Sequence, residues 1–362
     1  MSSETVFGSF FLPGPTEVRQ EVLNAMLGPM IPHRSAEFET LFARLQDGMR
    51  KVFLTQRSVF ISASSGTGMM EAAIRATPPG PILCLLNGAF SERFAHIAEM
   101  CGRKVDRYQV AWGEVHSMEQ LDDLLSKTKY RAVTATHCET STGALTDVHA
   151  VSDMAHSHGA LCLIDSVSGA AGAELRFDAW KLDFVLTGSQ KAFALPPGLA
   201  FGVASDEMVA LAEKAENRGV YFDIVEMEKF AKGNQVPATP AFSLLYALDV
   251  QLEAISNEGI ENRWKRHSDM LAAVSSWLDR TSSIGWKNIV TEESRSPTVS
   301  TIALPSGVDA KVFVGKVKVL GIQIATGYGK LGASTIRIGH MGDHTVATIA
   351  RCLDACEQAI RA

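Results

Sequence analysis

Between residues 57 and 205, short apolar runs alternate with longer stretches whose apolar residues recur at helical spacing. This alternation is typical of crossover units, in which helices connect the strands of a mostly parallel sheet. It predicts an α/β fold whose ligands bind beyond the carboxyl ends of the strands. We predict strands at 58–62, 82–86, 132–136, 161–165, 184–187 and 201–204, and helices at 68–76, 91–100, 118–127 and 148–158.

After residue 205 the pattern becomes mainly helical, with a long amphipathic stretch from Phe242 through His267. Strand-like runs at 299–304 and 335–339 bracket a helix at 310–320, which indicates a smaller α+β unit. We therefore predict three parts: an N-terminal segment over 1–16, a large domain with the central sheet over 17–255, and a small C-terminal domain over 256–362.

Composition restricts the partners and the compartment. The chain has 362 residues and a formal net charge of −6, which gives no reason to expect nucleic acid or an anionic membrane as partner. Its six cysteines form no Cys-x-x-Cys pair, which favours a reducing environment. The first residues resemble neither a secretory signal nor a transit peptide. We expect a cytoplasmic protein.

Two polar residues follow predicted strands and lie 26 positions apart. Asp165 ends a buried-looking strand, where an unpaired carboxylate is costly, so it needs a cationic or hydrogen-bonding partner such as a pyridinium N–H. Lys191 adjoins the apolar residues 192–195, and loss of hydration there would favour its neutral, nucleophilic amine. Together they indicate a pyridoxal phosphate enzyme. Taken singly, Asp165 could cap a helix and Lys191 could occupy the surface.

A glycine-containing turn offers an anion site. Ser65, Gly66, Thr67 and Gly68 follow one predicted strand and open the next helix, so their backbone N–H groups would converge on a phosphate. The turn does not match the dinucleotide-binding pattern G-x-G-x-x-G, since Glu71 occupies the place of the third glycine. A tight strand-to-helix turn without a ligand explains it about equally well.

An ordered set of motifs resembles the class V aminotransferases, which belong to the fold type I pyridoxal phosphate enzymes. The similarity extends over nearly the full chain and is greatest to the alanine–glyoxylate and serine–pyruvate group of that family. The motifs are Pro-Gly-Pro-Thr at 13–16, Ser-Gly-Thr-Gly at 65–68, Asn-Gly-Ala-Phe at 87–90, Glu-Thr-Ser-Thr-Gly at 139–143, Asp-Ser-Val at 165–167, Gly-Ser-Gln-Lys at 188–191, Pro-Pro-Gly at 196–198, Thr-Pro at 239–240 and Arg-Ile-Gly at 337–339.

The resemblance implies pyridoxal 5'-phosphate as cofactor and assigns its ring contacts. Lys191 would bond to the cofactor and then move a proton at the substrate α-carbon. Asp165 would pair with the pyridine nitrogen, while Phe90 and Val167 would pack on the two faces of the ring. Ser141 would hydrogen-bond near the ring oxygen. Alternatively, Phe90 is a core residue and Ser141 a loop hydroxyl.

The resemblance also implies phosphate and substrate contacts. Gly66, Thr67 and Gln190 would contact the phosphate. Thr239 would reach across a homodimer interface to the phosphate of the neighbouring subunit; alternatively it caps a helix that has Pro240 at its first position. Arg337 would hold the substrate carboxylate through paired N–H bonds; alternatively it is a surface arginine on a strand.

These assignments predict a transaminase that works by a ping-pong cycle, with alanine or serine favoured as amino donor and glyoxylate or pyruvate as acceptor. Donors such as aspartate, phosphoserine or aminoethylphosphonate remain alternatives. A lyase or desulfurase is disfavoured, because residues 325–332 contain no nucleophilic cysteine. A regulatory protein with only a phosphate-binding turn would need neither Lys191 nor Asp165.

Five further residues attract attention without a firm role. His33 and Arg34 follow a proline in the N-terminal region, and His340 follows the arginine motif; the roles of all three stay open. His156 and His158 resemble a metal-binding pair, but they lie at a predicted helix end, where a histidine interacts favourably with the helix dipole. We therefore predict no metal site.

Overall fold

The computed structural model describes residues 7–361. Its strands are β1 (Val59–Ser62), β2 (Ile82–Leu86), β3 (Val105–Gln109), β4 (Ala132–Thr136), β5 (Cys138–Glu139), β6 (Ala144–Leu145), β7 (Leu161–Asp165), β8 (Phe184–Gly188), β9 (Ala200–Ala204), β10 (Lys287–Asn288), β11 (Val299–Ala303), β12 (Ala325–Thr326) and β13 (Thr335–Gly339). Its helices are α1 (Gln20–Ala25), α2 (Ala36–Phe53), α3 (Gly66–Ala76), α4 (Ala89–Met100), α5 (Met118–Lys127), α6 (Val148–Ser157), α7 (Asp206–Glu213), α8 (Ile224–Lys232), α9 (Phe242–Glu258), α10 (Ile260–Arg280), α11 (Ala310–Val319) and α12 (Val346–Arg361).

Seven strands form the central sheet, in the order β1-β9-β8-β7-β4-β2-β3. Strands β3, β2, β4, β7 and β8 pair in parallel, whereas β9 runs antiparallel to both β8 and β1. Every residue of β7 is buried, because alternate side chains enter hydrophobic clusters on opposite faces of the sheet. The fold is therefore α/β with a mostly parallel central sheet, as the alternating sequence pattern predicts.

A second sheet occupies the C-terminal part. Strands β10, β11, β13 and β12 pair antiparallel in that order. Their apolar face packs with α10, α11 and α12 around Trp277, Ile336 and Cys352. The proposed domain boundary at residue 255 falls inside α9, which ends at Glu258.

The residues before α1 connect the two sheets. Phe11 N donates to the carbonyl of Gln323 at 2.7 Å, and Gly339 N donates to the carbonyl of Phe11 at 2.8 Å. A few residues later, Thr16 N donates to the carbonyl of Gln190 at 2.9 Å. This segment thus contacts β13 of one sheet and the turn after β8 of the other.

Two departures from the sequence prediction have local causes. Strand β3 was not predicted, because Asp106 and Arg107 interrupt its apolar pattern; as an edge strand it keeps such residues in solvent. The amphipathic stretch from Phe242 is two helices rather than one, since Gly259 takes a φ of 82° between α9 and α10. Among residues 7–361, none of the helices combines the length and apolarity that crossing a bilayer requires.

Candidate active site

A cavity of about 360 Å³ lies at the carboxyl end of the central sheet. Its walls come from the start of α3, the start of α4, the turns after β7 and β8, and the N-terminal segment. The residues around it include Gly14, Ser65, Gly66, Thr67, Phe90, Arg93, Thr140, Asp165, Val167, Gln190 and Lys191. The structure thus brings together most of the residues that the motifs predict at a cofactor site.

A larger cleft, of about 800 Å³, lies elsewhere and contains Arg57, His156, Asp183 and Asp206. These four groups form two pairs: Arg57 bonds Asp206, and His156 Nε2 lies 2.7 Å from Asp183. Because each of these groups already has an oppositely charged partner within the protein, it would gain little by binding a ligand. We therefore assign the chemistry to the smaller cavity.

Lys191 presents its amine to the small cavity from the turn after β8. The side chain is buried, and Nζ donates to the carbonyl of Pro13 and lies 6.0 Å from the ring centroid of Phe90. Burial, assisted by the positive charge of Arg337, lowers the pKa of Lys191 to about 7. A substantial fraction of the amine is therefore neutral, and nucleophilic, near neutral pH.

Asp165 ends β7 with a carboxylate that the protein only partly satisfies. The side chain is 2% exposed, and Oδ1 accepts a hydrogen bond from Val167 N at 2.8 Å. Burial raises the pKa of Asp165 to about 7. A cation in the cavity would reverse this shift, because it would favour the charged carboxylate.

The start of α3 provides donors for an anion. Ser65 O accepts the first bonds of the helix, from Gly68 N at 2.9 Å and Met69 N at 3.4 Å, so the N–H groups of Gly66 and Thr67 precede the ladder. A Cβ at Gly66 would lie 2.4 Å from Val167 Cγ2, so glycine keeps the backbone close to the cavity. These N–H groups and the helix dipole suit a phosphate.

Glu139 organises the start of α4 and was assigned no role from the sequence. Its carboxylate is fully buried and accepts hydrogen bonds from Phe90 N at 3.1 Å and Ser91 N at 3.0 Å. It also accepts from Ser141 N at 3.0 Å and Ser141 Oγ at 2.6 Å. Glu139 therefore caps α4 and fixes the backbone of Phe90, whose ring lies at the cavity.

Ser141, predicted near the cofactor ring, is not among the residues that line the cavity. Its hydroxyl donates to Glu139 and accepts from Ala89 N at 3.0 Å. The preceding residue, Thr140, lies in the cavity wall instead, and its hydroxyl pairs with that of Ser168. Both residues lie in the turn after β5, where the bond of the Ser141 hydroxyl to the Glu139 carboxylate holds it beside the start of α4.

Two other predicted cofactor residues lie outside the cavity wall. Gly68 packs inside the first turn of α3, where a Cβ would come within 2.3 Å of Ser64 Oγ. Thr239 borders a separate pocket with Tyr221. The alternative role of Thr239 as a helix cap is wrong, because α9 has Ala241 as its N-cap residue.

Arg337 extends from β13 toward the cavity. Nε donates to the carbonyl of Thr326 at 3.1 Å and Nη1 to the carbonyl of Thr140 at 3.3 Å. Its Cζ lies 5.3 Å from the ring centroid of Tyr328, and burial lowers its pKa. Because carbonyls accept two of its five N–H groups, others remain for a carboxylate.

Arg93 is a guanidinium in the cavity wall that sequence reasoning missed. Its Cζ lies 4.8 Å from the ring centroid of Phe90, one helical turn earlier on α4. No carboxylate forms an ion pair with Arg93 in the part of the chain that the structure describes. The signal was its position three residues after Phe90, which places both on one face of α4.

The three residues of open role lie outside this cavity. His340 is buried, with Nε2 2.9 Å from Ser300 Oγ, and burial lowers its pKa to about 4. Arg34 donates to the carbonyl of Val236 at 2.7 Å, and His33 is half-buried beside it.

The two histidines at the end of α6 each have a carboxylate partner. His156 bonds Asp183, and His158 Nε2 lies 2.7 Å from Asp122. The two rings therefore engage different acidic groups rather than a shared centre.

One cavity thus has a buried amine, a carboxylate without a cationic partner and a helix start suited to an anion. This combination is typical of enzymes that bind a phosphorylated aldehyde cofactor through a lysine. The sequence matches the aminotransferase class V family model over residues 13–342. The chain therefore belongs to the class V aminotransferase family, whose members use pyridoxal phosphate.

Several relatives are aminotransferases named for glyoxylate. An L-aspartate–glyoxylate aminotransferase of Paracoccus denitrificans is 35% identical over 350 residues, covering 93% of this chain and 87% of the relative. A serine–glyoxylate aminotransferase of Hyphomicrobium methylovorum is 33% identical over 370 residues, covering 99% of this chain and 90% of the relative. The crystal structure of an alanine–glyoxylate aminotransferase from Nostoc sp. superposes with a TM-score of 0.91 at 29% identity, covering 97% of this chain and 95% of that one.

Pyridoxal phosphate fits the residues present. Its phosphate matches the N–H groups at the start of α3, and its protonated ring nitrogen would supply the cation that Asp165 lacks. Its aldehyde would meet the amine of Lys191, whose lowered pKa favours the reactive form. These are the same three contacts that the resemblance implies.

Proposed function

We propose that this enzyme transfers the amino group of a small 2-amino acid to glyoxylate or pyruvate by a ping-pong cycle, with alanine or serine favoured as donor. The observation that carries the proposal is the juxtaposition of a neutral-prone Lys191 and a buried Asp165 at one cavity. The glyoxylate specificity in the names of three relatives supports the acceptor.

Different residues of this chain have different roles in the reaction. When bound, pyridoxal phosphate supplies an electron sink for the substrate α-carbon. Arg337 holds the substrate carboxylate, which fixes the direction of the α-hydrogen. Lys191 in its neutral form removes that proton and returns it to a neighbouring carbon. Asp165 in its charged form holds a proton on the ring nitrogen, and Phe90 limits water access from one side.

The test compares wild type with Lys191→Ala and with the control variant Lys127→Ala, which changes an exposed lysine of α5. We expect wild type and the control to develop visible absorbance with pyridoxal phosphate, and to form glycine from alanine and glyoxylate. Lys191→Ala should lose both properties, because no other amine lies in the cavity wall that the structure describes. Absorbance that persists unchanged in Lys191→Ala would contradict the proposal.

A second candidate donor is aspartate, and the observation that favours it is Arg93. An unpaired guanidinium in the cavity wall suits a second carboxylate. The L-aspartate–glyoxylate activity of the Paracoccus denitrificans relative supports this alternative. Arg93→Gln should then weaken the reaction of aspartate by roughly tenfold or more relative to alanine. Equal losses for both donors would contradict a role for Arg93 in choosing aspartate.

We also propose a homodimer in which Thr239 serves the neighbour's site. Thr239 lies near the surface and outside the cavity of its own chain, which suits this role. A mixture of the inactive variants Lys191→Ala and Thr239→Glu should recover about a quarter of the wild-type activity, since half the dimers would contain one intact site. No recovery after subunit exchange would contradict a shared site.

A cytoplasmic location belongs to the same proposal. All six cysteines are free and five are buried, a state that a reducing compartment maintains. Fractionation of cells that express the tagged chain would test the location, with recovery in a membrane or organelle fraction as the contrary result.

A further inference from the structure

Tyr328 connects the two ends of the substrate site. It lies in the loop between β12 and β13, and its ring centroid is 5.5 Å from that of Phe90. The Cζ atom of the Arg337 guanidinium lies 5.3 Å from the same ring centroid. Tyr328 therefore spans the space between the group expected to hold the substrate carboxylate and the ring beside Lys191.

The loop that carries Tyr328 is fixed to its own sheet. Gly327 N donates to the carbonyl of Thr335 at 2.7 Å. A Cβ at Gly327 would lie 2.1 Å from Thr335 Oγ1 and 2.3 Å from the carbonyl oxygen of Leu331. The loop approaches β13 so closely that only glycine fits at this position.

The same loop also contacts the large domain. Lys330 Nζ lies 4.5 Å from the ring centroid of Trp112, whose Nε1 donates to Glu92 at 3.1 Å. Glu92 belongs to α4, the helix that carries Phe90. Contacts on both sides hold the Tyr328 ring in one place, so it can act as a rigid wall.

The position of that wall determines which part of a donor it meets. The amino group of the donor must reach Lys191 and its carboxylate must reach Arg337. With these two substituents of the α-carbon fixed, its side chain occupies the remaining space, beside Phe90 and Tyr328. With centroids 5.5 Å apart the two rings are in contact, so they form one continuous wall that a short side chain such as a methyl or hydroxymethyl group would clear and a branched chain would meet.

We propose that Tyr328 is a specificity-determining residue that limits the size of the donor side chain. The inference rests on the proposed transaminase function and assigns its substrate class: 2-amino acids whose side chain has one or two heavy atoms beyond the α-carbon, which favours alanine and serine over the alternative donor aspartate. Packing against Arg337 is a separate contribution, which acts equally on every donor because every donor has the same carboxylate.

The test measures single-turnover amino transfer from alanine, serine and leucine, using the absorbance change of the cofactor. The variants are Tyr328→Ala, which removes the ring, and Tyr328→Phe, which keeps it. We expect Tyr328→Ala to raise the leucine-to-alanine ratio of kcat/KM at least about tenfold, the range typical of hydrophobic pockets. Tyr328→Phe should keep the ratio within about twofold of wild type, which controls for loss of the hydroxyl.

Each outcome has a defined meaning. If Tyr328→Ala lowers all three donors by the same factor, Tyr328 only supports Arg337 and the size limit is wrong. If Tyr328→Phe raises the ratio as much as Tyr328→Ala, the hydroxyl rather than the ring discriminates, and the proposal is again wrong. If wild type accepts leucine as well as alanine, no size limit exists. Failure of the proposed function gives a different result, with wild type reacting with none of the three donors.

Discussion

Two buried carboxylates at neighbouring strand ends have opposite surroundings. Glu139, on β5, accepts four hydrogen bonds from Phe90, Ser91 and Ser141. Asp165, at the end of β7, accepts one from Val167, and burial raises its pKa to about 7. The protein alone completes the environment of Glu139, whereas that of Asp165 needs a cation from outside. Satisfied and unsatisfied buried charges thus separate a structural carboxylate from a functional one.

The largest expected effect is on catalysis. Asp165→Asn should lower kcat/KM by about a thousandfold, because it removes the charge that stabilises a protonated ring nitrogen. Its unfolding temperature should not fall, since the amide needs no cationic partner. Steady-state kinetics and thermal melting on the same preparations would check both. If kcat/KM fell less than tenfold, Asp165 would not be the functional carboxylate of the pair.

The second effect is a pH dependence of stability in the cofactor-free protein. The pKa of Asp165 is raised to about 7 from an ordinary value of 3.8, so only the folded state holds this proton between those pH values. Stability therefore falls as pH rises from about 4 to 7, by up to the order of 3 kcal/mol from this group. Lys191 and Arg93 oppose the shift and Glu139 adds to it.

Asp165→Asn supplies the control for that pH dependence. Relative to wild type, this variant should gain stability as pH increases from 4 to 7, in thermal melts without cofactor. With pyridoxal phosphate bound the gain should shrink or reverse. Parallel curves for the two proteins would mean that Asp165 titrates normally.

The third effect is on the structural carboxylate. Glu139→Gln should destabilise the fold by about 2 kcal/mol, because an amide cannot accept all four hydrogen bonds and places its own N–H₂ against donors. Denaturant unfolding would measure this cost. Catalysis should fall less than in Asp165→Asn, since Glu139 acts through the position of Phe90. If Glu139→Gln is as inactive as Asp165→Asn yet fully stable, the distinction between the two carboxylates fails.

The smallest expected effect concerns the hydroxyl of Ser141, which bonds Glu139. Ser141→Ala should lower the free energy of unfolding by about 1 kcal/mol through loss of its bond to Glu139. The affinity for pyridoxal phosphate should change less than in Thr140→Val, which alters the cavity wall itself. Equilibrium titration of the two variants with the cofactor would decide, and a greater loss in Ser141→Ala would favour the position predicted from sequence.

The sequence predicted the framework of the site because its residues stand at strand ends. Strands β2, β4 and β7 lie where their apolar runs predict them, and parallel pairing brings Asp165 and the turn before Lys191 to the same edge. The start of α3 was found by the same reasoning. These positions depend on local pattern and on the rule that ligands bind at that edge.

What the sequence did not predict depends on side-chain direction and on contacts between distant segments. Ser141 and Thr140 are adjacent, and Thr140 rather than Ser141 lines the cavity, while Ser141 bonds Glu139 and Ala89. Tyr328 lies in a loop without periodic pattern, and its importance comes from Phe90 and Arg337, which are far away in sequence. Arg93 looked like an ordinary charged residue on an exposed helix face.

The contacts of the segment before α1 have a consequence for the folding of the enzyme during its synthesis. The backbone of Pro13 receives the Lys191 amine, and Thr16 bonds both the Gln190 backbone and, through its hydroxyl, the carbonyl of Met341. Because Thr16 and Met341 lie 325 positions apart, this corner cannot close on a nascent chain until the later segment has left the ribosome. The cofactor pocket is therefore completed by a contact that forms late relative to the central sheet.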